Sequence, residues 1–194
     1  MIFLVTGASG SGKTACMPDL ARLLPDVALH DFDEVGVPPA ADKRWRQEST
    51  EAWLRRGIAY GRAGRDLVVC GGAIPGEIRA CPSAAEAGTL EICLLDCQDL
   101  VRIDRLRSRG THGCTQEMLS WAAWQRVHAA DPGWRPDVVR DGSAPGMRWE
   151  RWEGWRRGDP RWQVMVIDTT PLTVAEVAGQ IARWVQRARA PGAR

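Results

Sequence analysis

The run Gly7-Ala8-Ser9-Gly10-Ser11-Gly12-Lys13-Thr14 follows five consecutive apolar or β-prone residues, Ile2–Thr6. No other stretch of the chain limits its fold so tightly. A strand without polar alternation is buried on both faces and belongs inside a parallel sheet. Gly7, Gly10 and Gly12 let the backbone turn so that successive N–H groups point inward. Ala15, Leu20, Leu23 and Leu24 then recur at helical spacing, with Pro18 near the first turns, so a helix N-terminus aims its dipole at the same place. The octapeptide matches GxxxxGK[ST] in full and in the right context, strand before and helix after. In such a phosphate cradle Gly7, Ser9, Gly10, Ser11 and Gly12 supply the loop. Lys13 reaches the β- and γ-phosphates, and the Thr14 hydroxyl can ligate Mg2+. The chain is therefore expected to bind a nucleoside triphosphate, ATP, with Mg2+.

Further along, apolar runs predict strands at 27–32, 66–72, 90–97 and 162–170. Helical patterns fill 42–62, 99–109, 115–129 and 173–189. Strands alternating with helices predict an α/β fold, a parallel sheet with helices on both faces in three layers. Residues 131–161, rich in Pro, Gly, Arg and Trp, show no period. One domain spanning 1–194 is expected, without internal repeats, and with a frayed tail over 187–194.

Composition excludes more than it selects. A formal charge of +2, with 44% hydrophobic and 26% charged residues, gives no case for nucleic-acid binding. The N-terminal run is too short for a membrane span and lacks a basic leader, so no membrane association is expected. Cys16, Cys70, Cys81, Cys93, Cys97 and Cys114 form no CxxC pair, and with three histidines they give no zinc spacing. These features predict a reduced, cytoplasmic protein.

The cradle does not reveal what receives the phosphate. The absence of NKxD or TKxD argues against guanine recognition, and the absence of LSGGQ against a transporter ATPase. "HDFDEVG" (30–36) places Asp31 and Asp33 on one face of an extended chain, at the carboxyl end of the second strand. Ligands of open parallel sheets lie beyond those ends. One carboxylate can accept the proton of an alcohol and the other can help hold Mg2+; spacing alone leaves the two roles exchangeable. Trp45 and Arg46, on the following helix, are placed to line the acceptor site.

With these residues in view, the chain resembles the small P-loop metabolite kinases, the group of gluconate and shikimate kinases, over residues 2–129 and 164–186. "HDFD" resembles their segment after the second strand, and "LVVCGG" (67–72) their third strand, where shikimate-kinase glycines meet the substrate. "RLRSRGTH" (105–112) resembles the RLxxRxxH that opens the gluconate-kinase lid. "VIDTTPLTVAEVAGQI" (166–181) resembles the last strand and helix, whose joining loop lies against adenine. The resemblance implies a P-loop kinase architecture with a mobile lid, the lid and a substrate-specific insertion covering about 105–161. It implies substrate contact at Gly71 and Gly72 and nucleotide contact at Thr170, Pro171 and Arg105 or Arg109. Arg109 is assigned to the transferred phosphoryl. Gly113 stands where gluconate kinases carry an aromatic, and Ala73 replaces the third shikimate-kinase glycine, so neither substrate is carried over.

Other residues receive structural readings. Arg102 and Arg107 are expected on an exposed basic face. Asp96 is expected to cap the following helix, His128 to cap a helix end, and His30 to pack in the core. The tryptophans, among them Trp121, Trp124, Trp149, Trp152 and Trp155, are expected to form core or a partner interface, or else a stacking pocket with Arg135, Arg148 and Arg151. The first functional reading is an ATP-dependent small-molecule O-kinase with Lys13, Asp31, Asp33 and Arg109 as catalytic residues, acting as a monomer or homodimer. The alternatives are a nucleoside monophosphate kinase and a protein that sequesters a ligand without phosphoryl transfer.

Overall fold

The computed structural model describes residues 1–110 and 113–190. His112, part of the lid resemblance, and the last four residues of the expected frayed tail lie outside the described residues. Five parallel strands, β1 (Ile2–Thr6), β2 (Ala28–Asp31), β3 (Leu67–Gly71), β4 (Leu90–Asp96) and β5 (Met165–Asp168), form one sheet in the order β2-β3-β1-β4-β5. Among the described residues seven α-helices accompany them: α1 (Lys13–Leu23), α2 (Lys43–Arg62), α3 (Pro75–Ala80), α4 (Asp99–Ser108), α5 (Gln116–Ala130), α6 (Asp137–Arg140) and α7 (Val174–Arg189).

The central strand shows why both faces are covered. Every residue of β1 is buried. Phe3 and Val5 join Cys16 and Leu20 of α1 and Val177, Ile181 and Val185 of α7 in one core. Ile2 and Leu4, pointing the other way, join Trp53 and Leu54 of α2 and Ile78 of α3 in a second. The period of two in the strand thus divides between two helix layers. Among the described residues, no helix is long and apolar enough to cross a membrane.

Two predicted strands are shortened for local reasons. Phe32–Val35 forms a 3-10 turn because the Asp31 side chain accepts from the Asp33 N–H at 2.9 Å while Glu34 reaches back to the Asp31 N–H, also at 2.9 Å. Trp162 leaves the fifth strand to donate its indole N–H to the Ala129 carbonyl at 2.9 Å. Helix α3 was not predicted: six residues carry too little periodicity, although Pro75 occupies the position where proline starts a helix.

Residues 131–161 pack as a third core. Trp152, 1% exposed, donates to the Gly76 carbonyl at 2.8 Å and packs with Ile74, Trp124, Val139 and Trp162. Buried Gln47 of α2 ties this segment down, donating to the Val139 carbonyl at 2.8 Å and accepting from the Ala144 N–H at 2.7 Å. The tryptophan stripe is core, and the stacking pocket with Arg135, Arg148 and Arg151 does not form. Arg135 instead pairs with Asp137, and Arg151 donates to the Pro82 carbonyl at 3.0 Å.

Candidate active site

All five strands end on one edge of the sheet, and the loops leaving β1, β2 and β3 surround a cavity of about 340 Å3. Gly7, Ser9, Gly10, Gly12, Lys13 and Thr14 line it on one side, and Asp31, Asp33, Gly71 and Gly72 on another. Register explains the meeting: Thr6, the last residue before the glycine loop, lies opposite Gly71. Two glycines are demanded by contact. A Cβ on Gly7, whose φ is +149°, would lie 2.3 Å from the Leu95 carbonyl oxygen, and one on Gly71 would lie 1.9 Å from the Phe32 Cβ. Gly12, at φ +100°, opens α1.

Lys13 folds over the loop and donates to the carbonyls of Gly7 and Ala8. Burial, and then the positive charge of Arg102, lower its pKa to about 8. Such a desolvated cation is stabilised most by an anion placed within the cradle.

The structure separates the two carboxylates. Asp31 is fixed, its Oδ1 capping the turn and its Oδ2 3.5 Å from Thr14 Oγ1. Those two oxygens are hard donors of the kind Mg2+ takes from protein when phosphates and water supply its other ligands. The Asp33 carboxylate forms no hydrogen bond among the described residues and lines the cavity. Burial, and then the Asp31 charge, raise its pKa above the ordinary carboxylate value. A carboxylate so placed is a competent proton acceptor.

Helices α2 and α5 close the far side. Arg46 lines the cavity but is held by Glu77, Nε to Oε2 at 2.8 Å and Nη2 to Oε1 at 2.7 Å. Glu77 is fully buried and also accepts from Gln47 at 2.9 Å. The Arg46 guanidinium lies over the Trp121 ring, 5.1 Å from its centroid. Trp45 does not line the cavity, because its indole N–H turns to the Gly36 carbonyl and its ring meets Phe32 edge-on. Trp121 and Gln125, four residues apart and so on one face of α5, take that place.

A second cavity, of about 240 Å3, shares Gly10, Gly12 and Arg109 with the first and continues past Ala15, Thr169 and Leu172. It continues from the phosphate cradle and is walled in part by the apolar side chains of Ala15, Leu172, Val174 and Val177. Arg105 lines it while donating to Thr169 Oγ1 at 2.9 Å and the Thr169 carbonyl at 2.8 Å. Thr169 and Leu172 form the wall, not Thr170 and Pro171; the Thr170 hydroxyl accepts from the Gln98 N–H at 2.8 Å.

Four structural readings are corrected here. Arg102 is fully buried, donating to the Ser9 carbonyl and to Asp96, each at 2.7 Å. Arg107 does lie on the exposed face. Asp96 caps no helix but receives Arg102 and Arg126 together. His128 caps nothing either: it is buried among Trp124, Trp152 and Trp162, with neither ring nitrogen hydrogen-bonded among the described residues. His30 is half-buried, its Nδ1 2.7 Å from Glu34 Oε2 and its Nε2 2.9 Å from the Tyr60 hydroxyl. The sequence offered a faint signal for Gln125 in its spacing from Trp121. It offered none for Glu77, whose helix was unrecognised.

No protein-family model matches the chain, and no curated protein does. Solved structures do. A sugar kinase from Janibacter sp. is 16% identical over 95% of this chain and 94% of its own, with a TM-score of 0.58. The tunicamycin resistance protein of Deinococcus radiodurans is 19% identical over 95% and 94%, with a TM-score of 0.56. Shikimate kinase from Acinetobacter baumannii, in complex with shikimate, is 15% identical over 98% and 94%, with a TM-score of 0.52. At these identities the likeness establishes the fold, a five-stranded parallel sheet flanked by helices as in small P-loop kinases.

Proposed function

We propose that the chain is a phosphotransferase that moves the γ-phosphate of ATP to a hydroxyl of a small molecule. One observation carries this reading. A free carboxylate, Asp33, faces the same cavity as the phosphate cradle, while its neighbour Asp31 is fixed beside Thr14. A carboxylate so placed can orient an acceptor hydroxyl and take its proton as the γ-phosphate is transferred. That the fold is shared with a sugar kinase and a shikimate kinase supports the same reading.

In this mechanism the loop amides and Lys13 hold the β- and γ-phosphates, with the base of ATP in the Thr169–Leu172 cavity. Thr14 and Asp31 are the residues that would hold Mg2+, which when bound offsets phosphate charge. The acceptor oxygen, oriented by Asp33, forms a bond to the γ-phosphorus as the bond to the β,γ-bridging oxygen breaks. Its proton passes to Asp33, and ADP leaves. Arg109, which borders both cavities, meets the charge on the transferring group. Five buried free cysteines suit a reducing compartment, and we place the protein in the cytoplasm.

The test is mass spectrometry of an acceptor panel incubated with ATP and Mg2+. An acceptor gaining one phosphate, with the gain lost in Asp33→Asn while ATP still binds, supports the assignment. Tight acceptor binding with no transfer by the unaltered protein would replace it with the sequestering alternative.

A further inference from the structure

The acceptor side of the cavity differs in kind from the phosphate side. Lys13 and Arg109 border the cradle, where phosphate would engage them. Beyond it, the cations lining the cavity among the described residues reduce to Arg46. That guanidinium is already neutralised by a bidentate pair with fully buried Glu77. The remaining formal charges on this side are the Asp31 and Asp33 carboxylates, of which Asp33 is the unengaged one, and both repel an anion. A carboxylated or phosphorylated acceptor would therefore lose water without gaining an unpaired cation.

The same cavity is also lined by a group with unmet hydrogen bonds. Gln125, 5% exposed, lines the cavity, and its amide bonds to nothing among the described residues, its Oε1 being fully buried without a partner. An amide offers both a donor and an acceptor, whichever way it is turned. The Oε1 has no accessible surface, so a ligand hydroxyl in the cavity meets the amide at its N–H end, as an acceptor. Trp121, one turn earlier on α5, adds an uncharged wall.

Building on the kinase reading, we propose that the acceptor is an uncharged, polyhydroxylated, sugar-like molecule, selected through a hydrogen bond to the Gln125 amide and by the charge-cancelled Arg46–Glu77 pair. Sugar acids and nucleoside monophosphates are disfavoured. The Glu77 carboxylate is the element that sets this preference, because its removal would turn Arg46 into a free cation facing the acceptor.

The experiment measures binding by calorimetry, with the site loaded with a non-hydrolysable ATP analogue and Mg2+. Matched pairs are compared: neutral sugars with their sugar acids, and nucleosides with their monophosphates. A neutral member should bind more tightly than its anionic partner. Gln125→Leu should weaken that binding roughly tenfold or more while leaving affinity for the ATP analogue unchanged. Glu77→Gln, checked for folding by its ATP-analogue affinity, should shift the preference toward the anionic member. Tighter binding of the anionic member, unaltered neutral binding in Gln125→Leu, or failure of every neutral member to bind would each overturn the proposal. A neutral molecule that binds as expected yet is not phosphorylated by ATP would leave this proposal standing and remove the kinase reading instead.

Discussion

Asp96, at the end of β4, and Arg102, in α4, form an ion pair of 2.7 Å in which the arginine has no exposed surface. The same guanidinium donates to the Ser9 carbonyl, so the pair clamps the phosphate-binding loop to the sheet edge. Arg126 of α5 joins Asp96 and Asp99 from the other side, which links the helix carrying Trp121 and Gln125 to the same anchor.

Replacing Arg102 by Met should destabilise the fold by about 3 kcal/mol, the low end for breaking a buried pair, since Asp96 retains Arg126. ATP affinity should fall as well, because the Ser9 carbonyl loses its tether. Urea unfolding and calorimetric titration with ATP measure the two effects separately. Unchanged ATP affinity would mean that the loop holds its shape without the clamp.

Asp33 should govern the acid limb of the pH–rate profile. Its pKa is raised, so kcat/KM should begin to fall at a pH above the ordinary carboxylate range as Asp33 gains a proton. Asp33→Asn should lower kcat roughly 10^2- to 10^4-fold, the usual contribution of a positioned base. In Asp31→Asn the residual activity should show an acid limb moved to lower pH, because the Asp31 charge is the second cause of the shift after burial. An acid limb that stays where it was would assign it to another group.

Lys13 predicts proton uptake on nucleotide binding. Burial lowers its pKa to about 8, whereas a bound phosphate would favour the charged form. At pH 8 about half of the free protein therefore carries a neutral Lys13, and binding should take up about half a proton. Titrations with ADP in two buffers of different ionisation enthalpy report that number. The Lys13 contribution, taken as the difference between the unaltered protein and Lys13→Met, should shrink toward zero at pH 6.5, where Lys13 is already charged.

How legible all this was depended on the range of the forces involved. The cradle is local: eight consecutive residues after a strand fix their own geometry, and the sequence identifies Lys13 and Thr14 without reference to anything distant. The sheet was legible because β1 and β3 are unbroken buried runs and the other strands carry shorter apolar stretches between helical patterns. Asp31 and Asp33 could be named from spacing but not told apart. What separates them is Thr14, seventeen residues away in sequence and 3.5 Å away in space. Arg102 was misread because a basic residue on a short helix is usually solvated, and only the Asp96 and Ser9 partners justify its burial. Glu77 was invisible for the same reason: its significance lies in contacts with Arg46 and Gln47 of another helix that no local pattern encodes. The spacing of Gln125 from Trp121 hinted at a shared face but not at the cavity it meets.

His128 supplies the last prediction, one of stability rather than catalysis. Its ring stacks on Trp124 at 4.6 Å and meets Trp152 and Trp162 edge-on. Burial lowers its pKa from 6.5 to about 4, against a smaller opposing pull from Asp131. The folded form therefore resists a proton that the unfolded chain accepts. The stability His128 contributes as a neutral ring is complete above about pH 6.5 and is lost as the pH falls toward 4, because there the unfolded state binds more protons. At pH 5 the loss should reach about 2 kcal/mol, from 1.5 units at 1.36 kcal/mol each. His128→Phe keeps an aromatic in the cluster but cannot titrate. Urea unfolding of the two proteins between pH 7.5 and 5 should give stability curves that diverge on acidification, the unaltered protein falling faster. Parallel curves would show that the tryptophan cluster lets water or a counter-charge reach the imidazole.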